Sequence, residues 1–222
     1  MATAILGSLD PSGVAEAPKC FPPPQDLIGW WRGEADALDF VNAHHGSLKG
    51  GPGFFIGRVG AAFSLNGSTD FIEVLDHDAW AFGKNDFSIE FWVSFRGLSA
   101  STDVARPAAV FVASDEGPGN VNKWFFSLGG GSLCFLVNSP SENVTMFLVR
   151  APFAPTLNQW YHLVLVRGGN VFTVYRDGVV IGTETAAVSV PNAKAPLTIG
   201  QAEGGVFLNA RPAASFWTGR RR

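Results

Sequence analysis

The stretch that decides the fold is residues 160–182, WYHLVLVRGGNVFTVYRDGVVIG. From Trp160 to Arg167 the side chains alternate with period two. Trp160, His162, Val164 and Val166 fall on one face, and Tyr161, Leu163, Leu165 and Arg167 on the other, as a β-strand requires. Gly168-Gly169-Asn170 accepts positive φ and lets the chain reverse. Val171–Arg176 reads as a second strand, Asp177-Gly178 as a two-residue hairpin turn of the primed type, and Val179–Glu184 as a third strand. The segment is an antiparallel meander. His162 has no acid or cysteine at strand spacing on its own face, so it is expected to be a hydrogen-bonded core histidine rather than a catalytic base.

The same pattern extends outward. DFSIEFWVSF (86–95) alternates Phe87, Ile89, Phe91, Val93 and Phe95 against Ser88, Glu90, Trp92 and Ser94. GRVGAAFSLNGSTDFIEV (57–74) gives two short strands around the turn Gly67–Asp70. AAVFVAS, KWFFSLGGGSLCFLVN, VTMFLVR and PLTIGQAEGG supply the rest, and Leu27–Trp31 is expected to open the fold as a short strand. No capped segment of helical period exceeds about eight residues, so helix is minor. Some ten short strands with Gly and Asn turns predict an all-β, two-sheet antiparallel sandwich.

Composition agrees. The 222 residues include 26 glycines, 14 prolines, 19 phenylalanines and 7 tryptophans, with only 16% charged, which describes a turn-rich chain with ample core. A net charge of −3 gives no electrostatic case for nucleic acid. No run approaches the roughly 20 apolar residues that insert across a bilayer. The first residues lack the basic start of a signal peptide, so the chain is either cytoplasmic or a piece of a longer exported polypeptide at the cell surface. Cys20 and Cys134 either form one disulfide or remain two thiols, and neither has zinc-site spacing. Residues 1–25 read as a flexible leader ending in the spacer Pro22-Pro23-Pro24, residues 26–209 as one domain, and residues 210–222 as an aberrant tail outside the sheet.

Four motifs carry a resemblance. LIGWWRGEADALDFVNAHHGSL, GRVGAAFSLNGSTDFIEV, FSIEFWV and QWYHLVLVRGGNVFTVYRDGVVIG, in this order, resemble the laminin-G-like, pentraxin-like jelly roll of the concanavalin A-like lectin/glucanase superfamily, in its bacterial form. The resemblance implies a jelly-roll sandwich and a histidine kept in the sheet at His162. It departs in two places: Arg176 stands where an apolar residue is usual, which suggests an edge strand, and the usual closing strand is absent after Asn209.

The resemblance also frames function. Some relatives cleave β-glucans with two carboxylates on one strand face, but here Glu90 has no second acid at that spacing, and no serine sits in a nucleophile elbow. A non-catalytic module recognising glycans or extracellular protein surfaces is the expected function, with a glycan-active hydrolase and a structural domain as alternatives. Calcium is the cofactor that the resemblance implies. One expected site joins Asp115, Glu116, Asn120 and Asn122 to Gln201 and Glu203, and a second uses Asp39 and Asn42. Trp124, beside the first loop, is the candidate for stacking on a sugar. Oligomeric state is not legible.

Overall fold

A computed structural model of the chain describes residues 26–98 and 107–213. The expected leader and Cys20 therefore lie outside the described residues, as do 214–222. Two antiparallel sheets face each other across an aromatic core, giving the expected jelly-roll sandwich. The larger sheet runs β1 (Gly46–Lys49), β4 (Phe71–Val74), β13 (Leu197–Ile199), β6 (Ala109–Asp115), β7 (Lys123–Gly129), β8 (Ser132–Ser139) and β9 (Val144–Pro152). The smaller runs β12 (Val179–Thr185), β11 (Val171–Arg176), β10 (Trp160–Gly168), β5 (Phe87–Phe95) and β16 (Ala210–Ala213). Two hairpins stand outside them: β2–β3 (Gly53–Ile56, Ala61–Ser64) and β14–β15 (Gln201–Ala202, Val206–Phe207).

The meander forms as the alternation predicts. β10 pairs with both β5 and β11, and Asp177 (φ 52°) with Gly178 (φ 80°) makes the primed turn. β11 is an interior strand, so Arg176 does not mark an edge; β12 is the edge. Tyr161, Leu163, Leu165 and Arg167 turn inward, while His162 lies on the outer face. The expectation of a core histidine is thus corrected: its ring stacks on Trp92 with centroids 5.0 Å apart.

Between the sheets the rings pack in two groups, Phe87, Phe135 and Phe172 in one and Phe91, Phe111 and Phe126 in the other. Each such ring removes roughly 150–250 Å² from water, and aromatic pairing adds to that burial. One buried cation serves this core. Arg167 donates to the carbonyls of Gly169 (2.8 Å), Gly83 (2.7 Å) and Val188 (2.8 Å), with its guanidinium 5.1 Å from the centre of the Phe172 ring. Burial lowers its pKa from the ordinary value, partly opposed by Asp86. Cys134 is buried, and desolvation pushes its thiol up to about 12.

Two further expectations change. Leu27–Trp31 is not a strand; it has isolated bridge residues at Leu27 and at Trp31, the latter paired with Asp39, and the Trp31 indole donates to the His44 carbonyl at 2.9 Å. The segment from Ala210 is not outside the sheet. Ala210–Ala213 pairs with β5, in the register Ala210↔Phe95 to Ala213↔Trp92, and Ala210 is fully buried. Its neighbour is β5 rather than the chain near Trp30. Pro212 is tolerated because β16 is an edge, where a missing N–H breaks no ladder. The domain boundary at 209 moves at least to Ala213.

At the opposite side β9 bulges, so that Val149 and Arg150 stand against Cys134. Val149 has φ 54°, and its N–H donates to the Glu184 carboxylate of β12 at 2.7 Å. This contact ties the edge of one sheet to the edge of the other.

Candidate functional site

Strand pairing brings the two loops of the first expected cation site together. β6 ends at Asp115 directly across from Lys123, and β13 carries the chain into the β14–β15 hairpin that lies over β6. Asp115 Oδ1 accepts from Gly117 N (2.8 Å) and Oδ2 from Glu203 N (2.6 Å). The hairpin is thereby pinned to the β6–β7 loop. Glu116 holds the far side, accepting from Asn122 N at 3.2 Å and Lys194 N at 2.9 Å.

The amides go elsewhere. Asn120 Oδ1 accepts from Asn138 (3.0 Å), and the Asn122 amide faces the Glu116 carboxylate at 3.4 Å. Gln201 is half-buried in β14, and its carbonyl accepts from Thr198 at 2.6 Å. At the centre is a residue that the loop-based reading overlooked. The Lys123 side chain is 2% exposed, and its ammonium donates to Glu203 and to the Gly117 carbonyl (2.7 Å), 3.7 Å from Asp115 Oδ1. One signal was available in the sequence: a lysine heading the otherwise apolar strand KWFFSL.

The second expected site is also internally satisfied. Asp39 is 5% exposed; Oδ1 accepts from Trp30 N (2.8 Å) and Val41 N (3.1 Å), and Oδ2 from Asn42 N (3.1 Å) and His44 N (3.0 Å). Asn42 donates to the Leu27 carbonyl at 2.8 Å. Here the carboxylate organises its own loop. Among the described residues, no three His, Cys, Asp or Glu side chains stand together as a metal cluster.

Trp124 is corrected outright. It is fully buried, 5.1 Å from Phe82 and 6.0 Å from Phe135 between ring centres, and cannot meet a sugar. The accessible surfaces flank the loop instead. On one side a groove of about 150 Å³ has Phe125, Leu136 and Phe147 as its floor, with Lys123, Asn138, Thr145 and Glu203 around it. On the other a larger hollow of about 340 Å³ is bordered by Asn122, Ser139, Ser141, Glu142, Ser189 and Asn192.

The outer face of the smaller sheet holds a different constellation. Glu90 sits across from Val164, with the His162 ring 4.0 Å from its carboxylate, Trp92 beside it and Arg58 5.3 Å from the centre of the Trp92 ring. On β5 its same-face neighbours are Ser88 and Trp92, so the strand presents one acid and not two. Burial lowers the His162 pKa from its ordinary 6.5, partly opposed by Asp177, whose carboxylate accepts from His162 N at 2.9 Å.

By architecture the chain is an all-β, two-sheet jelly-roll sandwich with concave polar features beside its loops. A laminin-G family model matches residues 66–219, and the chain belongs to the concanavalin A-like lectin/glucanases superfamily. No curated protein sequence matches it. Among solved structures, it is similar to domain 4 of AbnA, a GH43 extracellular arabinanase from Geobacillus stearothermophilus, in complex with arabinotriose. That likeness has a TM-score of 0.69 at 17% identity and covers 89% of this chain and 94% of that one. The binding domain of Paraclostridial Mosquitocidal Protein 1 follows, with a TM-score of 0.64 at 18% identity over 89% of this chain and 49% of that one. The botulinum neurotoxin serotype D ligand binding domain, in complex with N-acetylneuraminic acid, has a TM-score of 0.58 at 14% identity over 87% and 47%. The chain thus spans about half of each toxin chain. At these identities the likeness concerns the fold.

Proposed function

We propose that the chain is a non-catalytic recognition module for glycans, carried on the outside of a cell within a larger polypeptide. The observation that carries this reading is the hollow beside the rim loop. Asn122, Ser139, Ser141, Ser189 and Asn192 offer neutral donors and acceptors in one concavity, with Glu142 as an acidic acceptor at its border, a set that matches sugar hydroxyls. The neighbouring groove adds the half-buried Phe147, against which the C–H face of a second sugar can lie. Two of the structural neighbours were solved with a saccharide bound, which supports the same ligand class.

Hydrolysis is the weaker reading. A glycosidase needs two carboxyl groups about 5 to 9 Å apart across the scissile bond, and Glu90 has serine, tryptophan, valine and histidine around it. An extracellular protein ligand is favoured by a separate surface, the tip of the β2–β3 hairpin, where Ile56 and Val59 are 77% and 81% exposed.

A glycan array run with the full chain, with calcium and with chelator, tests the proposal. Arabinan oligosaccharides and sialylated glycans are the first probes to follow by calorimetry. Asn122→Ala and Ser141→Ala together are expected to weaken the bound sugar about tenfold, the scale of one or two lost hydrogen bonds, with no reducing sugar released. An array without any binder overturns the glycan reading. Release of product that Glu90→Gln abolishes makes the chain an enzyme.

A further inference from the structure

We infer that the Lys123 ammonium is the resident cation of the rim, so that the loops 115–122 and 203–205 are assembled without calcium. This goes beyond the glycan reading and holds whatever the rim binds. The superfamily resemblance places calcium between these loops, and the donor set present does not fit it.

Calcium takes six to eight oxygens at about 2.3–2.6 Å. Around Lys123 the oxygens are already committed. Asp115 Oδ1 faces Gly117 N and the ammonium, while Oδ2 faces Glu203 N. Glu203 and the Gly117 carbonyl are bound to the ammonium itself, Asn120 to Asn138, and Asn122 to Glu116. A divalent ion would have to displace a buried like charge or sit beside it.

The lysine is not a chance visitor. Its backbone is fixed in register between Asp115 on β6 and Asn138 on β8, so the strand ladder aims its side chain under the hairpin. An ammonium has three donors and no acceptor, and here it meets two carboxylates and a carbonyl. One strand residue thus supplies the positive charge, the bridging of two loops and the neutralisation of a buried acid that a bound ion supplies elsewhere. It cannot be removed by a chelator.

The test is nitrogen-15 spectroscopy of lysine side chains in the full chain at neutral pH. A protected, slowly exchanging Nζ resonance is expected, assigned by its loss in Lys123→Met. It should not move when millimolar calcium or chelator is added, and the melting temperature should be equal in both. If Lys123→Met does not fold, Glu203→Gln keeps the lysine and removes one of its two carboxylate charges, and should speed exchange of that resonance about tenfold. The inference is overturned if no protected resonance exists in the folded wild type, or if calcium shifts it. A calcium-induced rise in melting temperature that Glu203→Gln abolishes overturns it equally.

Discussion

Lys123 and Arg167 are both buried cations, one on each sheet, and they are accommodated in opposite ways. Lys123 meets two carboxylates and a carbonyl, which balance its charge directly. Arg167 meets three backbone carbonyls and an aromatic face, with Asp86 only nearby. The difference follows from side-chain chemistry. A lysine ammonium is a compact, strongly hydrated point charge, and losing that hydration calls for anionic partners. A guanidinium spreads its charge over a planar fork, so carbonyl dipoles arriving from three segments satisfy it. Lys123 joins two loops of a surface rim. Arg167 staples the end of the β10–β11 hairpin to residues 83 and 188.

The largest effect that tests this contrast is expected for Arg167→Met. Three carbonyls lose their donor at once, and stability should fall by about 3 kcal/mol, read as a lower urea midpoint with an unchanged slope. Arg167→Lys should recover less than half of that loss, because one ammonium on a different stem cannot reach all three carbonyls. Full recovery by lysine would break the comparison, since it would mean that charge alone matters at that position.

The smallest effect comes from a third group, His162, for which burial without a full set of anionic partners depresses the charged form. Its folded pKa lies below the 6.5 of the free side chain. The unfolded chain therefore binds more protons between those two values, so this contribution is complete above about pH 6.5 and is lost as pH falls below it. A modest decline in melting temperature on acidification is expected, with a parallel change in Trp92 fluorescence from the stacked ring. His162→Gln should flatten both. A wild-type stability that rises on acidification from pH 6.5 would reverse the assignment.

Much of the sandwich was legible from alternation. The 86–95 strand and the 160–184 meander appear at the expected residues because each has one face toward the core and one toward solvent. The errors arose where that asymmetry fails. Lys123–Gly129 is buried at every position, since the β14–β15 hairpin lies over the outer face of the larger sheet. Alternation therefore could not tell whether Trp124 faced core or ligand. β16 is short, contains a proline and pairs with β5, more than 100 residues earlier, so no local signal identifies it as a strand. At the site, the family resemblance implied that the 115–122 and 201–205 loops meet, and they do meet at Asp115 and Glu203. It could not say which donors those acids would find, because backbone N–H groups around Asp39 and a strand lysine beneath Asp115 are arranged only by the fold.

The Val149–Glu184 contact bears on solubility. A sandwich has raw edges, and an unguarded edge strand invites another chain to continue the sheet, the first step toward fibrils. On one side β12 turns the charged Glu184 toward β9, and β9 answers with a bulge, so neither offers the flat, regular row that a recruited strand would need. On the other side β16 carries Pro212, which has no N–H to give, and β1 ends in Lys49 paired with Glu73. In a fold this rich in phenylalanine and poor in charge, each of the four edge strands thus carries a feature that hinders continuation of the sheet.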